Sequence, residues 1–203
     1  NDASRHLQLH SYKPSTAAPA DGYPVLLWLH GTNQSGDPFQ SLNFWWSHNA
    51  DILRNAVIIA PLWTGGMYQT SIDKYWGTSG TAVTLLKNIV NNSTYGKIDK
   101  NRIYISGYSA GGMGTFREVA KNDGYFAGAV PMAGAATKAT MNDATLKSTP
   151  IWGWHGSNDT TVKYGGYSII GMYSTKNIYD SIGSSSKMRF TTVNGAVHAG
   201  APY

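Results

Sequence analysis

The amino-acid sequence predicts one α/β domain with a mostly parallel central sheet flanked by helices. Three observations predict it. Short, continuously apolar runs recur along the chain, as strands buried on both faces require. Longer stretches with helical spacing separate them. The 203 residues, 41% of them apolar, suffice for a single core over residues 1–203 and are too few for two ordinary domains.

Leu7–Tyr12 alternates and reads as an early edge strand. Val25–Leu29 is apolar throughout and reads as a strand covered on both faces. Ala56–Ala60 repeats that pattern and is expected to stop at Pro61. Arg102–Ser106, Ala127–Met132 and Ile151–Trp154 are three further runs of this kind, and Met188–Val193 alternates as the last strand. Thr81–Val90, Ala110–Lys121 and Tyr167–Ile182 carry helical spacing, and Ser41–Leu53 carries it more weakly. Gly183–Ser186 reads as a helix-to-strand loop. In an open parallel sheet, ligands bind beyond the carboxyl ends of the strands. The residues with chemical potential lie just after predicted strands.

Composition narrows the function classes. Cysteine is absent, which removes disulfides, thiol nucleophiles and thiolate metal sites. Charged residues make up 13%, and the net charge of +5 is scattered apart from short patches such as Lys97–Lys100–Arg102. Nothing resembles a basic stripe with stacking aromatics, so no nucleic-acid partner is expected. No apolar run approaches the roughly 18 residues of a membrane span, so no membrane partner is expected. A weakly charged, hydroxyl- and aromatic-rich surface suits contact with an extracellular polymer, and equally a plain secreted surface. The chain opens Asn1-Asp2-Ala3 without Met, which is consistent with removal of a signal peptide. A secreted monomer is the expectation. Asn33, Asn91 and Asn92 begin Asn-x-Ser/Thr sequons.

Gly107-Tyr108-Ser109-Ala110-Gly111 matches G-x-S-x-G. The pentapeptide alone is weak, because chains this rich in Gly and Ser contain it by chance in roughly 5–25% of cases. Its position decides. It follows a predicted buried strand and precedes a predicted helix, the context of a nucleophile elbow. The serine on such a turn points its hydroxyl above a helix N-terminus, whose free N–H groups favour developing negative charge. The alternative is a glycine-rich turn with a capping serine.

A serine nucleophile needs a base, and the base needs an orienting acceptor. In this chain order the acid and then the histidine follow the serine. Of the six histidines, only His155 and His198 come after Ser109. His155 ends a predicted strand with no acid directly after it. His198 lies in a loop after the last strand, flanked by Gly195 and Gly200, and is the expected base. Asp159 follows Ile151–Trp154 and is the expected acid. Asp123 ends the nucleophile's helix, Asp143 falls in a long loop, and Asp180 lies inside the last helix. Acyl transfer also needs donors for the carbonyl oxygen. The N–H groups of Ala110 and of Thr32, in Leu29-His30-Gly31-Thr32, are the candidates.

A long loop runs from Trp63 through Tyr68 to Trp76 and should overhang the same edge. Trp76, and less so Trp63 and Tyr68, are candidate substrate contacts, or else anchors packed on the core. Tyr108 is a candidate for lining the acyl pocket. Trp152 and Trp154 share strand parity and read as core. No H-E-x-x-H or similar cluster suggests a metal hydrolase, and neither metal nor cofactor is expected.

Asp99-x-x-Arg102 through Ser106, continuing Gly107-Tyr108-Ser109-Ala110-Gly111-Gly112-Met113-Gly114, resembles the elbow of one esterase group. That group comprises carbohydrate esterase family 1 (acetylxylan and feruloyl esterases), polyhydroxybutyrate depolymerases and the so-called predicted peptidases. Phe126–Gly134, Trp154–Asp159 and Leu29–Thr32 resemble it too. The resemblance implies an α/β-hydrolase fold and a secreted, cofactor-free esterase with Ser109, Asp159 and His198 as triad. It implies a polymeric ester substrate, acetyl or feruloyl esters of plant polysaccharide first and aliphatic polyester second. A peptidase and a non-catalytic carbohydrate-binding module that uses Trp63 and Trp76 are the remaining readings. The chain departs from the group in two ways. It lacks the cysteine often found near the oxyanion loop, and only Ala199–Tyr203 follow His198, where the group commonly continues into a covering helix. No lid-sized insertion is evident, so an open, shallow site is expected.

Overall fold

The computed structural model describes residues 8–32, 55–62, 81–166 and 171–200. Within them a seven-stranded sheet runs in the order β1-β3-β2-β4-β5-β7-β9. These strands are β1 (Gln8–Tyr12), β2 (Tyr23–Leu29), β3 (Val57–Leu62), β4 (Ile98–Tyr108), β5 (Gly128–Met132), β7 (Ile151–Gly156) and β9 (Met188–Val193). Only β1 is antiparallel, paired along β3 at one edge. The other neighbouring pairs are parallel. The expected architecture is therefore present, including the edge position of the first strand.

Five α-helices are described: α1 (Thr81–Asn91), α2 (Ala110–Lys121), α3 (Lys138–Met141), α4 (Ala144–Ser148) and α5 (Thr175–Ile182). From β3 onward the crossovers advance towards the β9 edge. Right-handed crossovers in one direction put their helices on one face. Accordingly Leu86 and Ile89 of α1, Phe116 and Val119 of α2, Leu146 of α4 and Ile178 of α5 share one core cluster. That cluster also holds Val25, Leu27 and Leu29 of β2 and Ile103 and Ile105 of β4. In α1 the buried set Ala82, Val83, Leu86, Ile89 and Val90 follows the helical stripe that the sequence shows. Strand alternation sends Trp28, Ile58, Ala60 and Met132 to the opposite face.

Four expectations are corrected. The third strand does not stop at Pro61; it continues to Leu62, and Pro61 pairs opposite Leu9 of β1. Its pairing with β2 ends at Ile59, so Pro61 lies where the strand has only one neighbour and a missing N–H is cheap. The last helix starts at Thr175, not Tyr167. Tyr173–Ser174 forms a short strand, β8, that pairs antiparallel with β6 (Ala135–Ala136). Ser174 then caps the helix, its side chain accepting from the Asn177 N–H. Asp143 is not a loop residue but the N-cap of α4, accepting from the N–H groups of Thr145 and Leu146. Trp152 is not core. It is 48% exposed on the outer face, its Nε1 donating to Thr191 Oγ1 at 2.9 Å. Trp154 lies 5.0 Å from it, ring to ring, and is half-buried. Parity placed both rings on one face correctly, but on the face that the described helices leave open. The expected helix Ser41–Leu53 and the aromatic loop residues Trp63, Tyr68 and Trp76 lie outside the described residues.

Among the described glycines, the closest backbone approach is that of Gly111 in α2 to β2. A Cβ on Gly111 would stand 1.8 Å from the Leu29 carbonyl oxygen, a backbone atom that cannot swing away. Gly111→Ala is expected to destabilise the fold by about 3 kcal/mol or more. Gly166→Ala, whose Cβ would meet Lys163 Cβ at 3.7 Å as its nearest neighbour among the described residues, should stay within about 1 kcal/mol. Urea unfolding of the two variants checks this pair.

Candidate active site

Four strands of the parallel sheet deliver their following loops to one edge. These are His30–Thr32 after β2, Ser109 after β4, Ser157–Asp159 after β7 and Asn194–His198 after β9. Ser109 occupies the single residue between β4 and α2, with φ 56° and ψ −116°. A positive φ is uncommon for a residue with a Cβ and strains the backbone by about 1–3 kcal/mol. Its N–H donates to the Met132 carbonyl at 2.9 Å, and its carbonyl accepts from the Met113 N–H at 3.0 Å. Although Ser109 is the N-cap residue of α2, its side chain makes no capping bond. The capping alternative raised by the sequence therefore fails, and the hydroxyl is directed elsewhere.

That hydroxyl meets His198. Nε2 of His198 lies 2.9 Å from Ser109 Oγ, and Nδ1 lies 2.7 Å from Asp159 Oδ2. Three residues far apart in sequence thus form one hydrogen-bonded line. The Asp159 carboxylate is buried and its oxygens are well supplied with donors. Oδ1 accepts from the Thr161 and Val162 N–H groups, both at 2.9 Å. Oδ2 faces His198 and also His155 Nε2 at 3.2 Å. Burial works to raise the pKa of this carboxyl. Hydrogen bonds from His155 and His198, the His198 charge and the Val162 N–H outweigh it, and the group sits well below the usual carboxylate range.

The loop that carries His198 is fastened on two sides. On the acid side, the Ser157 N–H donates to Val193 O at 3.1 Å and the Asn158 N–H to Ala196 O at 2.9 Å. The Gly195 N–H returns a bond to Ser157 Oγ at 2.8 Å. On the serine side, the Tyr108 hydroxyl donates to the His198 carbonyl at 2.9 Å. The Tyr108 ring stands 5.2 Å from the imidazole. Tyr108 thereby holds the histidine loop to the end of β4.

The β2 loop reaches the same turn. A Cβ on Gly31 would lie 3.4 Å from Ser109 Cβ and 3.3 Å from the Tyr108 carbonyl. Glycine is what allows this loop to lie against the elbow. His30 is buried, with Nδ1 2.6 Å from the Gly31 carbonyl; burial lowers its pKa despite that bond. Thr32 follows, exposed, and Ala110 opens α2 directly after the serine. Both expected oxyanion donors thus lie on segments that adjoin Ser109.

Sequence reasoning missed two features here. One is the tie between Tyr108 and His198, which depends on the distance between chain positions that sequence does not relate. The other is His155, passed over because no acid follows it at once. The available signal was parity: His155 shares the buried register of Ile151 and Gly153 on β7.

A parallel sheet with a serine on a strand–turn–helix elbow, and an aspartate and a histidine after later strands, defines an α/β-hydrolase. A model of the phospholipase/carboxylesterase family matches residues 73–202, and the chain belongs to that family. Over 164 residues the chain is 33% identical to a bifunctional acetylxylan esterase/xylanase of Neocallimastix patriciarum, covering 77% of this chain and 22% of the relative. It is 24% identical to poly(3-hydroxyalkanoate) depolymerase C of Paucimonas lemoignei, covering 94% of this chain and 55% of the relative. Among solved structures, a thermostable esterase superposes with a TM-score of 0.73 at 21% identity, covering 96% of this chain and 54% of that one. The chain therefore spans no more than 55% of the length of either curated relative.

Two outcomes are expected at the site. Tyr108→Phe keeps the ring and removes the bond to the His198 carbonyl. It should lower ester turnover by about fivefold, the worth of one ordinary hydrogen bond, in steady-state kinetics. Asp159 has a depressed native pKa, so its contribution to stability is fully present above its unfolded value of about 3.9. That contribution is lost as pH falls through the lower native value. Asp159→Asn should flatten the pH dependence of unfolding free energy below about pH 4, which chemical denaturation across pH 2–6 measures.

Proposed function

We propose that the protein is a secreted serine carboxylic-ester hydrolase that works through an acyl-enzyme. The observation that carries this reading is the unbroken hydrogen-bond line from Ser109 Oγ through His198 to Asp159 Oδ2. The strained backbone of Ser109, whose hydroxyl is turned from capping to the imidazole, supports it. In the reaction Ser109 Oγ attacks the ester carbonyl while His198 Nε2 takes the hydroxyl proton. Asp159 holds the imidazole and stabilises the imidazolium. The N–H groups of Thr32 and Ala110 receive the charge that develops on the carbonyl oxygen. On collapse of the tetrahedral species the C–O bond to the alcohol breaks, and the alcohol leaves with the proton from His198. A water molecule then gives its proton to His198 and attacks the acyl-serine, and the acid is released as Ser109 regains its proton. No step calls on a metal or cofactor.

Acetyl or feruloyl esters on plant polysaccharide are the proposed substrate class, supported by the acetylxylan esterase relative. A polyester depolymerase is the second reading. It is favoured by the depolymerase relative, whose match spans 94% of this chain. Among the described residues, no helix is long and apolar enough to cross a membrane.

Ser109→Ala should lose hydrolysis of a p-nitrophenyl acetate probe by at least about a thousandfold while keeping its far-UV circular dichroism. A fluorophosphonate should label the wild type and not the variant. Retained turnover in a folded Ser109→Ala protein would sink the reading. Acetate release from acetylated xylan, ferulate release from methyl ferulate and soluble-product release from a polyhydroxybutyrate film then rank the substrates.

A further inference from the structure

A second imidazole reaches the acid of the site. His155 is wholly buried near the end of β7. Its Nε2 lies 2.7 Å from the Val162 carbonyl and 3.2 Å from Asp159 Oδ2. A carbonyl oxygen can only accept, so the ring proton sits on Nε2. Among the described residues Nδ1 is buried without a hydrogen-bond partner, which suits a bare ring nitrogen and would strand an N–H there. The single N–H of His155 is therefore given to the Val162 carbonyl, and Asp159 Oδ2 lies within 3.2 Å of the same nitrogen.

We propose that His155 is a positioning residue for Asp159: it locks the carboxylate in line with His198 and shares its negative charge. The proposal rests on the triad reading given above. The geometry argues it in two parts. Val162 donates through its N–H to Asp159 Oδ1 and accepts through its carbonyl from His155. The imidazole thereby closes a ring over the turn 159–162. Oδ1 is held by two backbone donors, but among the described residues Oδ2 has only the two imidazoles. Without His155, Oδ2 would depend on His198 alone, and His198 must move its proton during the reaction.

The second part is electrostatic. The titratable groups set against His155 are few. Asp159 faces it directly, and His198 stands across the carboxylate. The Tyr164 ring meets its edge at 5.8 Å, with the hydroxyl bonded to Thr192 of β9. Among these described neighbours, His198 is the other group set to share the carboxylate charge. Removing the His155 donor leaves Asp159 a stronger acceptor, so the His198 imidazolium is held more tightly. The base then requires a higher pH to be free.

The test compares His155→Phe, which keeps a ring without a donor, with His155→Gln, whose amide nitrogen can occupy the place of Nε2. On a short aryl ester, His155→Phe should lower kcat by about ten- to a hundredfold with KM little changed. It should also move the acid limb of the kcat/KM profile to higher pH. His155→Gln should recover most of both. A destabilised but folded His155→Phe protein with wild-type kcat and an unmoved acid limb would overturn the proposal. Imidazole 15N spectra of the wild type provide a readout that needs no turnover or variant. His155 should appear as the Nε2–H tautomer, with its resonance moving as His198 titrates. An Nδ1–H tautomer or an unresponsive ring would overturn the proposal even if His155→Phe cannot be folded. A wild type inactive on every ester would defeat the esterase reading while leaving this spectral test intact.

Discussion

The turn at Ser109 is where the fold and the site meet, and it is possible only because backbone can approach backbone there. The chain leaves β4, reverses through one residue with a positive φ and enters α2 at once. That reversal brings the first turn of α2 down onto the end of β2, where Gly111 lies against the Leu29 carbonyl. A side chain at this contact would lift the helix from the sheet. The serine hydroxyl would then no longer stand above the strand ends, and the loop at Gly31 would lose its place beside it. The local strain is offset by the backbone bonds from Ser109 to Met132 and from Met113 to Ser109, and by the core that Phe116 and Val119 anchor about two and three turns further on.

The remaining two members of the hydrogen-bonded line depend on a different device. Asp159 and His198 follow adjacent parallel strands, β7 and β9, so their loops emerge side by side. Backbone bonds between residues 156–158 and 193–196 zip those loops together before either side chain is considered. The short chain after β9 is thereby held by three anchors: the acid loop, the Tyr108 hydroxyl and the ring contact to Tyr108. Among the described residues, hydrogen bonds and the Tyr108 ring place His198.

Electrostatics completes the arrangement. A buried carboxylate is costly unless donors surround it. Here backbone N–H groups and two imidazoles do so, and the carboxyl remains ionised well into acid. Its charge is thus available to hold the histidine, yet it is divided among several donors.

Much of this was legible in the sequence, and the reason differs by feature. Burial on both faces writes itself as continuous apolar runs, so the parallel strands could be located, and Ala110–Lys121 and Met188–Val193 have the bounds the periodicity implied. Chain order and placement after strands singled out Ser109, Asp159 and His198. Periodicity does not say which face of the sheet a run meets, so Trp152 was assigned to the core although it is exposed. Nor does it report a cap and a two-residue strand, which moved the start of the last helix to Thr175. By itself the sequence determined the fold class and the three residues that could form a relay, because those follow from local pattern and order. Tertiary structure alone decided that Tyr108 ties down His198 and that His155 shares Asp159. The first joins residues 90 positions apart, and the second depends on which way two side chains four positions apart turn, which local pattern does not report.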